Sequence, residues 1–370
     1  MSTLQVEGIR NAAATGDSIS LAADGTCTTK ATNKVVHNLL YNGEMQVNQR
    51  GTTTTVNGYG GPDRWKSNVS VGAFTASTSA QSPNNFASSL MLDCTTAATA
   101  SANNNVSIQQ HLEGLDLQGI GAGTSDAKSL TLSFWVKSTK TGVFNTILYQ
   151  KDGGKFAVQN TTINQANQWE KKTFTVAGNT ADAIANDNSK SLTVEFWLEA
   201  GPDYRGGTVS GSWHTWANNE AGEGITLNIA SDTANNFFLT GVQLEMGDIA
   251  SDYAYRSYGD ELARCQRYFY KTPYSGYYVG AGNGSTNMNH TQFTFPVAMR
   301  AQPGSMNAVN VLVITSSNYT SASSKTPTIG QWCETGAALN WSGITGATDN
   351  RIGAIMLNGA TARLEFDSEL

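Results

Sequence analysis

The sequence predicts an all-β chain: a jelly-roll β-sandwich with an extended N-terminal arm and a second, smaller C-terminal β-domain introduced by a short helix. Three observations carry this. Apolar residues alternate with polar ones in short runs bounded by Gly, Asn, Ser and Thr, which is strand and turn chemistry. Helical periodicity of any length is scarce. At 370 residues the chain can build two cores.

Residues 1–35 read as a thin arm, or as a disordered N-terminus. Ile19 and Leu21 alternate with Ser18 and Ser20, but so short a strand cannot bury itself and needs a sheet edge from its own subunits or from a larger assembly. Residues 36–258 read as the jelly roll. In LTLSFWVKS, Leu130, Leu132, Phe134 and Val136 share one face, and Thr131, Ser133, Trp135 and Lys137 the other. In LTVEFWLEA, Leu192, Val194, Phe196 and Leu198 oppose Thr193, Glu195, Trp197 and Glu199. Phe174 and Val176 similarly oppose Trp169, Lys171 and Thr173. Residues 95–105 and 177–190 are loops. Residues 203–224, with Tyr204, Trp213, His214 and Trp216, form a loop long enough to imply a functional or interfacial role.

The stretch 236–271 joins the two domains. Phe238, Thr240, Val242, Leu244 and Met246 alternate with Phe237, Leu239, Gly241, Gln243 and Glu245, giving a strand closed by Gly247-Asp248. Asp260-Glu261 then opens a helix in which Leu262, Cys265 and Phe269 share a stripe, with acids at its start and Arg264, Arg267 and Lys271 toward its end. Residues 259–370 form the smaller domain, with strands expected at 292–299, 308–315, 351–357 and 363–366. Tyr270, Tyr274, Tyr277 and Tyr278 bunch near its start.

Composition excludes several function classes. Only 14% of residues are charged and the net charge is −6. Nucleic acid is therefore not an expected partner, since phosphate binding needs basic clusters and only Lys171-Lys172 are adjacent. No stretch approaches the roughly 20 apolar residues of a membrane span, and MSTLQVEGIR lacks the apolar run of a secretory leader. Cys27, Cys94, Cys265 and Cys333 lie far apart with no CxxC, so free buried thiols are expected rather than a zinc knuckle or disulfides. His37, His111, His214 and His290 show no metal-ligand spacing. The runs 119–123 and 280–284 lack the GK[ST] ending and following helix of a phosphate loop. No cofactor is expected. A structural calcium, common in jelly-roll carbohydrate modules, is left open, although no EF-hand-like loop exists.

The strongest chemical signal is aromatic rings on polar strand faces. A flat exposed ring can hold the C–H face of a sugar while amides and carboxylates fix its hydroxyls. Trp135 and Trp197, with Ser133, Glu195 and Glu199, fit that description if their strands pair and the face is open. If that face is covered, both tryptophans are packing residues. The sugar site then moves to the loop bearing Tyr204, Trp213 and Trp216 or to Tyr277 and Tyr278. Trp65 and Trp169 lie in segments that look core-setting. Glu195 and Glu199, four residues apart on one strand face, would stand roughly 13 Å from each other. That is too far for the usual glycosidase pair.

Several segments, in order, carry a family resemblance: LQVEGIRNAAATGDSISLAADGTCTTK from Leu4, NLLYNGEMQVNQRG from Asn38, PDRW from Pro62, SFWVKS from Ser133, QWEKKTFTV from Gln168, VEFWLEAG from Val194 and QLEMGDIASDYAYRSYGDELARCQRYFYK from Gln243. Over about residues 4–271 the chain resembles phage virion proteins of tail-fibre or receptor-binding type. It departs from their pattern at 251–255, where a Pro and a His would be expected, and residues 272–370 resemble nothing comparable. The resemblance implies a non-enzymatic virion structural protein, made in the host cytoplasm and released by lysis. It further implies an adhesin for host surface glycan, a homotrimer, and an arm that docks to other virion proteins. The alternatives are a capsid-decorating or capsid-fibre protein and, from another class, a glycan depolymerase.

Overall fold

The computed structural model describes residues 8–9, 19–21, 23, 27–29, 38–52, 57–273, 276–283, 287–314, 319–321, 327–343, 352–357 and 361–370. Two antiparallel sheets form the central sandwich. The front sheet runs His214–Thr215, Lys155–Ile163, Gly142–Gln150, Lys190–Ala200, Asn105–Glu113, Lys66–Val69, Gly58–Tyr59. The back sheet runs Glu170–Val176, Leu130–Ser138, Asn236–Met246, Ser89–Thr96, Ala73–Ser79.

Alternation decides what lies between them. Phe134 and Val136 from the back sheet meet Phe144, Val194 and Phe196 from the front, all buried. The rings interlock edge to face: Phe134–Phe196 at 4.9 Å and Phe144–Phe237 at 5.5 Å between centroids. Trp65 is fully buried in this core, as its segment suggests, and donates to the Asn42 carbonyl at 3.0 Å.

Strand Asn236–Met246 differs from strict alternation. Its pairing with Leu130–Ser138 slips between Thr240 and Gln243. Gly241 sits there at φ +58°, and a Cβ would meet the Phe86 ring at 2.6 Å. The bulge places Phe237, Leu239, Val242 and Leu244 in the core and leaves Phe238, Gln243 and Glu245 facing out.

The joint then folds much as its charges dictate. Ser257 caps helix Tyr258–Gln266, its hydroxyl accepting from the Asp260 N–H at 3.2 Å. The helix stops before Phe269, which the stripe had placed on it. Phe269–Lys271 pairs instead with Arg363–Asp367, which also pairs with Ser305–Val309. Beyond it lies a second seven-stranded sheet, ordered Tyr319–Ser321, Val311–Ile314, Ile352–Leu357, Gly276–Asn283, Asn287–Thr294, Gly336–Ser342, Thr328–Cys333. Strands Gly276–Asn283, Tyr319–Ser321, Thr328–Cys333 and Gly336–Ser342 were not expected from the sequence. Phe293, Phe295, Trp341 and Phe366 form a separate core there. In the arm, Ile19–Leu21 pairs with Gly8–Ile9 and Cys27–Thr29. Cys94 and Cys265 are buried free thiols, whereas Cys333 is free but exposed, contrary to expectation; the Cys27 side chain and Tyr274 lie outside the described residues.

Candidate functional site

The strands bearing Trp135 and Trp197 do not pair. They belong to opposite sheets, so the two rings stand on opposite outer faces of the sandwich. Each face has its own surroundings.

On the front face, the 203–224 loop folds back over the sheet. Trp197 is buried with Ile147, Phe156 and Val158 below and Ala221 and Ile225 above. Tyr204 meets its ring edge to face at 4.9 Å. Trp216 packs on Tyr149 and Phe156, with centroids 5.1 and 4.6 Å away, and donates to Asn218 Oδ1. Arg205 holds the loop down: its guanidinium donates to the carbonyls of Ala200 and Ile225 and to Asn228 Oδ1. Trp213 leaves this group. It packs against the main core, and its indole N–H donates to the Ala177 carbonyl at 2.7 Å. Trp197, Tyr204 and Trp216 thus hold a loop to a sheet.

The carboxylates of this strand also separate. Glu195 is buried, and one oxygen accepts the Trp197 indole N–H at 2.6 Å. Burial pushes its carboxyl above the usual range. A bulge between Trp197 and Glu199 then reverses the alternation. Glu199 turns to the end of the sandwich, where it accepts from the Ala230 N–H at 3.1 Å. There it lines a cleft of about 540 Å³ with Ala98, Pro202, Arg205 and Ser231. The two carboxylates therefore do not share a face, contrary to the sequence expectation.

The back face is different. Strand register sets Lys171, Trp135 and Thr240 in one row and Lys137 beside Phe238 in the next, with Trp169, just before strand Glu170–Val176, also against Lys137. Trp135 and Trp169 are half-buried, and Lys171 and Thr173 are exposed. Trp169 meets Phe238 edge to face at 6.3 Å, and Lys137 Nζ lies 4.3 Å from the Phe238 centroid and 5.3 Å from that of Trp169. Trp169 is therefore an outward residue of this face rather than the core-setting one its segment suggested. Nearby, Gln243 and Glu245 are covered: Glu245 accepts from the Ser251 N–H and hydroxyl, and Gln243 from the Ala254 N–H.

Indole N–H groups separate the two kinds of tryptophan. Trp65, Trp197, Trp213 and Trp216 each donate to a protein oxygen. Among the described residues, neither Trp135 nor Trp169 does. A half-exposed ring with its donor free, beside hydroxyls and lysines, can stack on one face of a ligand and hydrogen-bond its edge. The signal that finds Trp169 lies in the sequence, since Trp169, Lys171 and Thr173 share the polar side of their strand.

Of the C-terminal tyrosines, Tyr278 packs on Phe293 with centroids 4.0 Å apart and supports the distal core, so it is not a free platform. Tyr277 lies in strand Gly276–Asn283 opposite Met356, and its side chain is outside the described residues. Among the described residues, no group of three His, Cys, Asp or Glu side chains is placed to hold a metal ion. No described helix is long and apolar enough to cross a membrane.

No family model matches the chain, and no curated protein matches it. Solved structures do. The enzymatically active domain of tailspike protein 4 from bacteriophage CBA120 overlaps with TM-score 0.34 at 13% identity, over 56% of this chain and 21% of that one. The module TmCBM61, solved with β-1,4-galactotriose, overlaps with TM-score 0.28 at 11% identity, over 56% and 97%. The family 11 carbohydrate-binding module of the Clostridium thermocellum cellulase Lic26A-Cel5E overlaps with TM-score 0.26 at 13% identity, over 55% and 98%. The chain spans about a fifth of the tailspike's length.

Proposed function

We propose that this chain is a non-enzymatic adhesin of a phage particle, of tail-fibre or receptor-binding type, and that it holds host surface glycan on the back face of its sandwich. The observation that carries the binding surface is the pair Trp135 and Trp169: two half-exposed rings on one sheet face whose N–H donors no described residue takes. The virion assignment rests on the ordered segments between Leu4 and Lys271 that resemble such proteins. Residues 1–35 dock to other virion proteins, residues 36–258 carry the glycan surface, and residues 259–370 form the distal domain. The adhesin is a homotrimer, which multiplies weak sugar contacts into avidity. Exposed Ile249, Tyr255 and Tyr258 at the joint supply apolar surface for the subunit contact. Binding proceeds without hydrolysis. The divergence of Glu195 and Glu199 favours this over a depolymerase, which needs two carboxylates across one bond.

An array of bacterial surface polysaccharides, probed with the wild-type chain and with Trp135→Ala, tests the glycan surface. We expect the variant to lose binding at least tenfold while its melting temperature stays within a few degrees. Equal binding by both proteins would remove the back face from the account. Labelled copies seen at the tail of intact particles would place the protein; density on the capsid shell would favour the capsid-decorating alternative. Native mass spectrometry checks the trimer, which a lone monomer at micromolar concentration would contradict.

A further inference from the structure

The same surface carries a statement about which glycans it takes. Resting on the glycan reading above, we infer that the back face recognises acidic sugars, those bearing a carboxylate, with Lys137 and Lys171 as the groups that meet the charge.

The arrangement alternates cation and ring. Lys171 stands directly across from Trp135, and Lys137 is flanked by the Trp135 position along its own strand, by Phe238 on one side and by Trp169 on the other. The Lys137 side chain is covered along most of its length, and its ammonium donates to the neutral amide oxygen of Gln81. None of the ion pairs among the described residues includes Lys137 or Lys171. Burial pushes the Lys137 ammonium below the usual lysine range, with no carboxylate acting to hold it up.

The outward carboxylates on the strands of this sheet do not supply the missing charge. Glu245 is satisfied by Ser251 and Gln243. Asp93 lies two strands from Trp135, opposite Asn236. A chain of net charge −6 thus presents a locally cationic, aromatic surface. Partly desolvating an ammonium against two aromatic rings without a counter-ion is unfavourable, and a ligand carboxylate would offset that cost. A neutral hexose would stack on the same rings but leave the ammonium uncompensated. The two indole N–H donors add to the preference, because they too match an acceptor-rich ligand edge.

The experiment compares immobilised polysialic acid and oligoglucuronate with the same polymers after reduction of their carboxyl groups to alcohols. Wild-type protein is expected to bind at least one carboxylated polymer tenfold or more tightly than its reduced form. That difference should shrink several-fold as salt is raised from about 50 to about 300 mM. Lys171→Gln, on an exposed side chain that leaves the fold intact, should lose most of the discrimination while retaining binding to the reduced polymer. Lys137→Met should do the same, with circular dichroism confirming its fold. Equal binding of carboxylated and reduced polymers, both lost in Trp135→Ala, would overturn the acidic-sugar inference and leave the glycan surface standing. Binding of neither form, or binding indifferent to Trp135→Ala, would overturn both.

Discussion

Trp135 and Trp197 stand in nearly the same local sequence, each after a core phenylalanine and each on the polar side of a strand. Their fates differ because of what crosses above them. A loop folds over Trp197, and its Tyr204, Ala221 and Ile225 complete a small second core on the front face. Among the described residues no such loop passes over Trp135; the neighbouring 251–254 segment covers Gln243 and Glu245 and leaves the ring half-exposed. Strand periodicity says which side a residue faces. Whether that side sees water is decided by chain far away in sequence.

The largest effect that could break this comparison is on stability. Trp197→Ala should cost about 3–5 kcal/mol, as for a buried large-to-small change that also strands the Glu195 carboxylate. Denaturant unfolding reads this directly, and a loss under about 1 kcal/mol would mean that the front face is open after all. Arg205→Ala comes next. Removing a guanidinium that ties Ala200, Ile225 and Asn228 together should cost about 1–3 kcal/mol. Amide exchange in residues 203–224 should speed up, while exchange in the back sheet stays unchanged.

A pH comparison sharpens the front-face half. The Glu195 carboxyl is held above its unfolded value, about 4.3 for a free glutamate, because burial disfavours the charged form. The folded state therefore binds the extra proton between the two values. Stability from this group is fully present below the unfolded pKa and is lost as pH rises through the folded one. Glu195→Gln keeps an oxygen for the Trp197 N–H and removes that loss. The difference in unfolding free energy, variant minus wild type, should increase as pH rises from 4 to 8. A flat difference would mean that Glu195 is solvated. The smallest expected effect is on the other face: Trp135→Ala should alter stability by no more than about 1 kcal/mol.

Much of the fold was legible in the sequence, because alternation is strong in both FW strands and in Asn236–Met246 up to Thr240. The two bulges were not. Each depends on a register slip against a partner strand, which local pattern does not encode. The Gly241 bulge moved Val242 and Leu244 to the core side, and the other turned Glu199 away from Glu195. Phe269 fitted the helix stripe but was claimed by pairing with Asp367. The site was half legible. Trp135 was visible as an aromatic on a polar face, while Trp169 was masked by a segment that looked structural. The alternation of Trp169, Lys171 and Thr173 already held the hint.

The most direct test of the contrast between the faces is tryptophan oxidation by N-bromosuccinimide, mapped by mass spectrometry with and without bound host polysaccharide. Trp135 and Trp169 should oxidise fast, and the polysaccharide should suppress this, while Trp65 and Trp197 oxidise slowly in either condition. Polysaccharide protection of Trp197 with none at Trp135 would contradict it.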